Sequence, residues 1–395
     1  MTNKQPSHRI RPLLVFAIAV TLASLAVHSQ AQTFKVLYNF TNGDDGANPL
    51  DGFVAVSGYL YGTTSAGGSS GAGTVFKISE AGKFTPLYSF KGGTDGSSPQ
   101  ASLLREASGD LYGTTSSGGA YGNGTIFRVT PKGVETVLYS FKGGTTDGAD
   151  PQAALVVDSA GNLYGTTFAG GTSGAGTVFE LTKKGKESVL HSFGSLGTNP
   201  VAGVTFDAAG NLYGTTSTGG LDGNGTVYEL AAQSAWAETT LHDFTLGTDG
   251  GVPYAGLVFD GSGNIFGATT DGGASGSDGG GTIFELTPDG TGWTFNTLYG
   301  LAGWGISGSF RNVLLDASGN IYATTHCDGA YNSGTVYKLT NSGGTWTYDE
   351  LYTLTGGSDG QYSFSNLVAD KKGNLYGTAR QAGGDGYGVV FKVTP

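Results

Sequence analysis

The chain has 395 residues, with 72 Gly, 11 Pro, 38% hydrophobic, 11% aromatic and only 13% charged residues, and a formal net charge of −11. Collagen-like fibres are excluded, because Pro is scarce and Gly follows no three-residue period; a disordered polyelectrolyte is excluded by the apolar and aromatic content. Much Gly, many aromatics and little charge point to many short strands joined by tight turns.

Residues 1–31 read as a secretory signal: Lys4, Arg9 and Arg11 at the start, an apolar run from Leu13 to Val27, and Ser29-Gln30-Ala31 as the cleavage site. The run of about fifteen apolar residues is shorter than the ~20 that cross a bilayer, so cleavage is expected rather than anchoring, with no membrane span afterwards. Cleavage would leave 17 Lys/Arg against 31 Asp/Glu, a mature charge of about −14. Such a surface repels phosphate backbones, so nucleic acid is not an expected partner. The one cysteine is Cys327, which excludes an intrachain disulfide. A soluble exported monomer is expected, periplasmic or extracellular.

The mature sequence opens on Phe34-Lys-Val-Leu37-Tyr38-Asn-Phe40, and then repeats itself. The phrase Asn-Leu-Tyr-Gly-Thr-Thr recurs with its glycine at Gly62, Gly113, Gly165, Gly214, Gly267 and Gly377, and Ala323 takes the same place in the sixth of seven units, at intervals of 49 to 56 residues. Each unit carries four strand candidates; in the third they are 154–158, 162–167, 176–181 and 188–193. Asp158-Ser-Ala-Gly161-Asn162 suits a short hairpin, with equivalents at 207–211, 260–264, 316–320 and 370–374. No segment has sustained helical periodicity with caps. Four strands per repeat of this length indicate a β-propeller blade.

The last unit stops at its third strand, Gly388-Val-Val-Phe391-Lys-Val393, while the opening strand matches the fourth-strand pattern of Leu87-Tyr88-Ser-Phe90 and Leu138-Tyr139-Ser-Phe141. The N-terminal strand should therefore complete the last blade and cover an open sheet edge. The prediction is an all-β chain: a signal over 1–31, then a single seven-bladed β-propeller with four-stranded blades over 32–395.

The series Leu-Tyr-Gly-Thr-Thr, Gly-Gly, Gly-Thr-Val-Phe and Leu-Tyr-Ser-Phe resembles the GloVer tandem-repeat family of exported bacterial proteins, over essentially all of 34–395. The resemblance implies a repeat-built extracellular protein, often followed by a C-terminal surface-anchoring segment. It carries no agreed activity and no catalytic residues to transfer. This chain departs from the anchored pattern in ending at Pro395, directly after a blade strand.

In such a ring the loops joining fourth strands to the next blade share a face with those joining second to third strands, and ligands often bind there. The first loop set carries Asp45, Asp95, Asp147, Asp249 and Asp359 before Gly. Carboxylates around a channel mouth would suit Ca²⁺ or another hard cation; the plainer reading is that each Asp bonds its own turn. The Gly/Ser-rich second set, such as 116–124, lacks the helix and lysine of a phosphate cradle and reads as structural.

Broken symmetry is the better pointer. Unit six has Leu301-Ala-Gly-Trp304 leading to Phe310-Arg311, then His326-Cys327-Asp328-Gly329 and Tyr331; unit seven has Ala379-Arg380. Trp304, Arg311, His326, Asp328, Tyr331 and Arg380 are therefore candidate ligand contacts, since flat aromatics suit sugar rings and Arg holds carboxylates. Drift in two blades is the plain alternative. His326 and Cys327, adjacent in an extended segment, face opposite ways and form no Cys–His pair. His191 and His242 take the Tyr slot of fourth strands and read as packing. There is no zinc-type cluster and no G-x-S-x-G. The expected function is a non-enzymatic binding module for a glycan or a cell-surface protein. The alternatives are a glycoside hydrolase or lyase using loop carboxylates, for which no pair is singled out, and a purely structural envelope module.

Overall fold

The computed structural model describes residues 32–273, 279–290, 292–301, 303 and 308–395; residues 1–31, where a secretory signal is expected, and Trp304 lie outside them. The described residues build seven four-stranded antiparallel sheets, the blades of a ring, with one two-stranded ribbon and two short 3-10 turns at Gly93–Asp95 and Ala232–Ser234. In the third blade the strands run outward as Val156–Val157, Leu163–Thr167, Thr177–Leu181 and Glu187–Ser192. The seventh blade takes Val368–Ala369, Leu375–Ala379 and Val389–Thr394 from the end of the chain, and its outer strand, Thr33–Asn39, from the beginning. Thr33 lies opposite Thr394 and Asn39 opposite Val389, so the predicted closure of the ring is what the chain does.

The two middle strands of a blade are covered on both faces by its neighbours. Their sequences therefore read as continuous buried runs, Leu-Tyr-Gly-Thr-Thr and Thr-Val-Phe-Glu-Leu, rather than as an apolar–polar alternation. The core sits between blades. Tyr164, Val178 and Phe193 of the third blade pack with Val204, Leu212, Tyr228 and Leu230 of the fourth. At the end of the outer strand Phe141 meets Phe179 of the next blade edge-on, with ring centroids 5.1 Å apart, and Phe193 meets Tyr228 at 5.0 Å.

The innermost strands are shorter than predicted: 154–158 was expected and Val156–Val157 is found. Asp158 is taken up by the hairpin turn, and the chain just before the strand is bound across to the preceding blade. In every blade but the fifth, the Thr directly after the repeated Gly or Ala donates across the seam to the chain just before the next blade's inner strand: Thr63 to the Ala101 carbonyl at 3.1 Å, Thr114 to Ala153 at 3.1 Å, Thr166 to Ala202 at 2.9 Å and Thr215 to Ala255 at 2.9 Å. Thr324 to Ser365 at 3.2 Å and Thr378 to Asp51 at 3.1 Å continue the series around the ring closure. Those carbonyls bond sideways between blades instead of extending the ladder within one.

The hairpins also form as predicted. Asp158 Oδ1 accepts the N–H groups of Ala160 at 2.9 Å and Asn162 at 2.8 Å, and its other oxygen takes the Asn162 side chain. Burial works to raise this carboxyl, but the donors from Asn162, Tyr164 and Ala160 outweigh it and hold it below its ordinary value. Both loop sets meet on one face: isolated bridges join Ala47 to Ala66, Ser97 to Ser117, Thr198 to Thr218 and Gln361 to Gln381.

Candidate functional site

On that loop face each blade presents one residue just before the chain turns into the channel: Leu50, Gln100, Gln152, Val201, Tyr254, Phe310 and Phe364, from the first blade to the seventh. Only the last three are aromatic, and they form one surface. Tyr254 stacks on Phe310 with centroids 5.3 Å apart, and Phe310 meets Phe364 at 4.8 Å. A second circle, one step after each Thr-Thr, reads Ser65, Ser116, Phe168, Ser217, Thr270, His326 and Arg380. The hydroxyls of Ser65, Ser116, Ser217 and Thr270 bond back to the loop carbonyls of Asn48, Ser98, Asn199 and Val252. His326 and Arg380 carry no hydroxyl, and only their backbone N–H groups keep that link, to Gly308 and Tyr362. Their side chains are released to the aromatic surface: the His326 ring lies 4.2 Å from Phe364, 4.7 Å from Tyr362 and 5.0 Å from Phe310, and the Arg380 guanidinium stands 5.7 Å over Phe364.

Tyr362 has φ 59°, in the left-handed region, at a position where the other loops hold Asn48, Ser98, Asp150 and Asn199. Its N–H is tied to the Ser333 carbonyl of the sixth blade at 2.9 Å, which holds the ring beside His326 against that strain. Burial, with the Arg380 charge adding to it, pushes His326 down to about 4, so the imidazole is neutral at pH 7. Three nitrogen atoms of this neighbourhood are buried and have no hydrogen-bond partner: Arg311 Nε, His326 Nδ1 and Arg380 Nε.

Below the mouth lies a channel cavity of about 140 Å³, lined on one side by Asp51, Arg311, Asn312 and Asn366 and on the other by small and apolar residues such as Ala153, Ala154, Ala202 and Gly203. Tyr254 lines it as well, so the aromatic surface continues from the mouth into the channel. Arg311 reaches across the bore from the sixth blade, with Nε 3.9 Å from Asp51 of the first blade and Nη2 3.5 Å from the Gln100 carbonyl of the second.

Of the residues singled out in sequence, Arg311, His326 and Arg380 meet in this region. Asp328 and Tyr331 do not join the aromatic contacts. Asp328 caps its own loop, accepting the Gly329 N–H at 2.7 Å, and its carboxyl is raised by burial against that bond. Tyr331 stands at a loop tip, 60% exposed, matched by Tyr121 in the second blade. Burial pushes the Cys327 thiol up, away from the thiolate a nucleophile requires. Phe310 stands out in sequence only as part of the departing loop of unit six, and Tyr254, Tyr362 and Phe364 look ordinary alone; aligning the seven units at the slot of Leu50 shows three aromatics in consecutive blades.

The loop aspartates lie elsewhere, each tied to the outer strand of its own seam. Asp45 takes Tyr38 Oη at 3.0 Å and the Thr41 N–H at 2.9 Å; Asp147 takes Tyr139 Oη at 2.8 Å and the Lys142 N–H at 2.7 Å; Asp359 takes Tyr352 Oη at 3.0 Å and the Thr355 N–H at 2.8 Å. Asp95 is bound in the same way by Tyr88, and Asp249 by His242 at 3.1 Å. Among the described residues, no three His, Cys, Asp or Glu side chains gather as a metal site. Two acidic pairs do form in these outer seams: burial, then the neighbouring Asp95 or Asp147, raises Glu135 and Glu187 to about 7. A larger hollow, about 530 Å³, lies at the blade-seven to blade-one seam on the hairpin side, lined by Val56, Leu60, Lys371, Lys372 and Tyr376. None of its lining side chains has a buried polar atom without a partner, so the chemistry points to the mouth despite its smaller cavity.

Comparison with solved structures finds chains of similar fold. The chain is similar to the periplasmic gluconolactonase PpgL of Pseudomonas aeruginosa, at 17% identity over 85% of this chain and 99% of that one, with a TM-score of 0.52. It is also similar to a PL25 polysaccharide lyase, an ulvan lyase solved with a -[GlcA(1-4)Rha3S]- saccharide, at 12% identity over 89% of this chain and 94% of that one, with a TM-score of 0.51. At such identities the likeness speaks for the fold alone. No curated protein matches by sequence. The model of the Gloeobacter/Verrucomicrobia repeat matches twice, over residues 23–220 and 203–395, and so spans the whole ring. The chain belongs to the Gloeobacter/Verrucomicrobia repeat family.

Proposed function

We propose that the protein is an exported binding module that takes a glycan at the loop-face mouth formed by the fifth, sixth and seventh blades. The observation that carries this reading is the coincidence of three buried nitrogens without hydrogen-bond partners, on Arg311, His326 and Arg380, with a continuous aromatic surface of Tyr254, Phe310 and Phe364. Aromatic planes hold the apolar faces of sugar rings and the free donors hold their oxygens. That a polysaccharide lyase of this fold is solved with a saccharide agrees with a sugar ligand, at the level of fold only. Calorimetric titration with a panel of oligosaccharides tests the reading. Binding to at least one, weakened about tenfold or more in Phe364→Ala and Arg380→Ala proteins of unchanged melting temperature, is expected. A parent protein that binds none of the panel refutes it.

The hydrolase alternative loses its best reagents in the outer seams. Asp95–Glu135 and Asp147–Glu187 recur in successive blades, bonded to the tyrosines of those seams, and none of these four residues lines the channel cavity. Polysaccharides incubated with the protein should therefore gain neither reducing ends nor unsaturated ends; the appearance of either would make the protein an enzyme.

A further inference from the structure

We infer that the channel cavity beneath Arg311 is a subsite for the terminal, carboxylate-bearing sugar of an acidic glycan. The inference rests on the glycan reading above and specifies the ligand of the same site. It starts from the polar wall of the cavity, where the acceptors are already occupied, the Asn366 amide donates to Ser102 Oγ at 3.4 Å, and Arg311 Nε is the buried donor left over. Asp51 Oδ1 accepts the Gly52 N–H and Oδ2 the Ser102 N–H, each at 2.7 Å. Asn312 Oδ1 accepts the Gly256 N–H at 2.7 Å, and Asn366 Oδ1 accepts the Asn312 N–H at 2.8 Å. Backbone amides thus consume the oxygens of Asp51, Asn312 and Asn366.

Arg311 is in the opposite condition. Its side chain is 13% exposed, it offers five N–H donors, and its one hydrogen bond is the 3.5 Å contact with the Gln100 carbonyl. Asp51 holds the guanidinium in place at 3.9 Å, yet Nε keeps no partner. A planar carboxylate satisfies such a fork with two parallel bonds, which a hydroxyl cannot do. The chain has six arginines, and two of them, Arg311 and Arg380, serve this mouth.

The cavity also selects the end of a chain. Its lining comes from blades one, three, four, five, six and seven, so it is walled around the bore. Its volume of about 140 Å³ suits a carboxylate with its sugar ring and no second residue. Room exists because Ala153, Ala154, Ala202 and Gly203 stand where the opposite wall carries Asp51, Arg311, Asn312 and Asn366. The ring of the terminal sugar would enter along Tyr254, and the following residue would rest on Phe310 and Phe364.

The test uses the full protein and two probes: an oligosaccharide ending in glucuronate and its carboxyl-reduced counterpart ending in glucose. Calorimetry should give about tenfold or tighter binding of the glucuronate-ended probe, a preference abolished in Arg311→Gln. Ala154→Val, which narrows the cavity and leaves the Arg311–Asp51 pair intact, should also lose the preference while keeping its melting temperature; it carries the test should Arg311→Gln fail to fold. Equal affinity of the parent for both probes overturns the inference and leaves the glycan reading standing. Binding of neither, nor of any other oligosaccharide, overturns both. A preference that survives in both variants places the carboxylate elsewhere and also overturns the subsite.

Discussion

Gly165 shows why the most repeated glycine in the chain is there. Its backbone is ordinary extended strand; the constraint is space. A Cβ at Gly165 would lie 2.7 Å from Cζ of Phe179 and 2.9 Å from Leu155, and at Gly113 it would lie 2.6 Å from Phe127. The third-strand aromatic of each blade lies over the glycine of the second strand, and the outer-strand Phe of the preceding blade closes on that aromatic. Gly165→Ala should therefore overpack the seam and cost about 1–3 kcal/mol in urea unfolding with an unchanged slope; a variant as stable as its parent would show that the ring has room to move. The sixth blade shows the other solution. Ala323 faces Tyr337, whose hydroxyl is held by Ser309 Oγ at 2.8 Å; in the seventh blade Ser363 stands in the same place, but the facing ring is Phe391 and the Ser363 hydroxyl bonds the Thr378 carbonyl at 3.0 Å. The sequence displayed the slot through repetition alone. It did not display the mouth, because Phe310 and Phe364 become a surface only when blades six and seven stand side by side.

At the level of elements, the outer strands carry a second pattern, and it makes a pH prediction. The Tyr or His one residue before the outer-strand end packs on the next blade: Tyr38 on Phe84 with centroids 4.3 Å apart, His242 on Phe295 at 3.7 Å, and Tyr352 on Phe34 at 3.8 Å. His191 keeps the slot by meeting Glu238 at 3.0 Å. In the second and third blades the partners are Glu135 and Glu187, half-buried beside Asp95 and Asp147, and their carboxyls are raised to about 7 by burial and those neighbours. A carboxyl whose folded value lies above its unfolded one gives stability that is complete below the unfolded value of 4.5 and is lost as pH rises to about 7. Relative to the parent, Glu135→Gln/Glu187→Gln should thus gain melting temperature progressively between those limits, with the full gain reached near pH 7. A difference that stays flat across this window would mean that neither glutamate is raised. His326, lowered to about 4, works in the opposite sense, losing stability as pH falls from 6.5, and the comparison with the parent cancels it. The existence and order of the strands were legible because turn residues bracket them, whereas these seams were not: residues such as Tyr139 and Glu187 are far apart in the chain and gain meaning only from the neighbouring blade.

The whole molecule is a ring, and a ring is only as tight as its weakest seam. Six seams carry the Thr-to-carbonyl bond near the axis; at the seam from the fifth blade to the sixth, the donor position is Ala268, which has no hydroxyl. There the link runs the other way, through the Asn312 side chain to the Gly256 N–H at 2.7 Å, while the Asn312 N–H reaches on to Asn366 in the seventh blade. Asn312 thus joins three blades, and the same departure from the repeat that frees Arg311 for the channel makes its neighbour a structural pin. Asn312→Ala leaves the buried Gly256 N–H without an acceptor, at a cost of about 1–3 kcal/mol, whereas Thr166→Val at a regular seam removes one neutral bond worth about 1 kcal/mol. Urea unfolding of the two variants, with amide exchange of the 255–257 segment, measures this directly. Asn312→Ala should be the less stable and should expose Gly256 to exchange first. Equal losses, with exchange at Gly256 unchanged, would show that the fifth and sixth blades are held by their apolar seam of Phe266, Ile283, Leu301 and Tyr337 rather than by this pin.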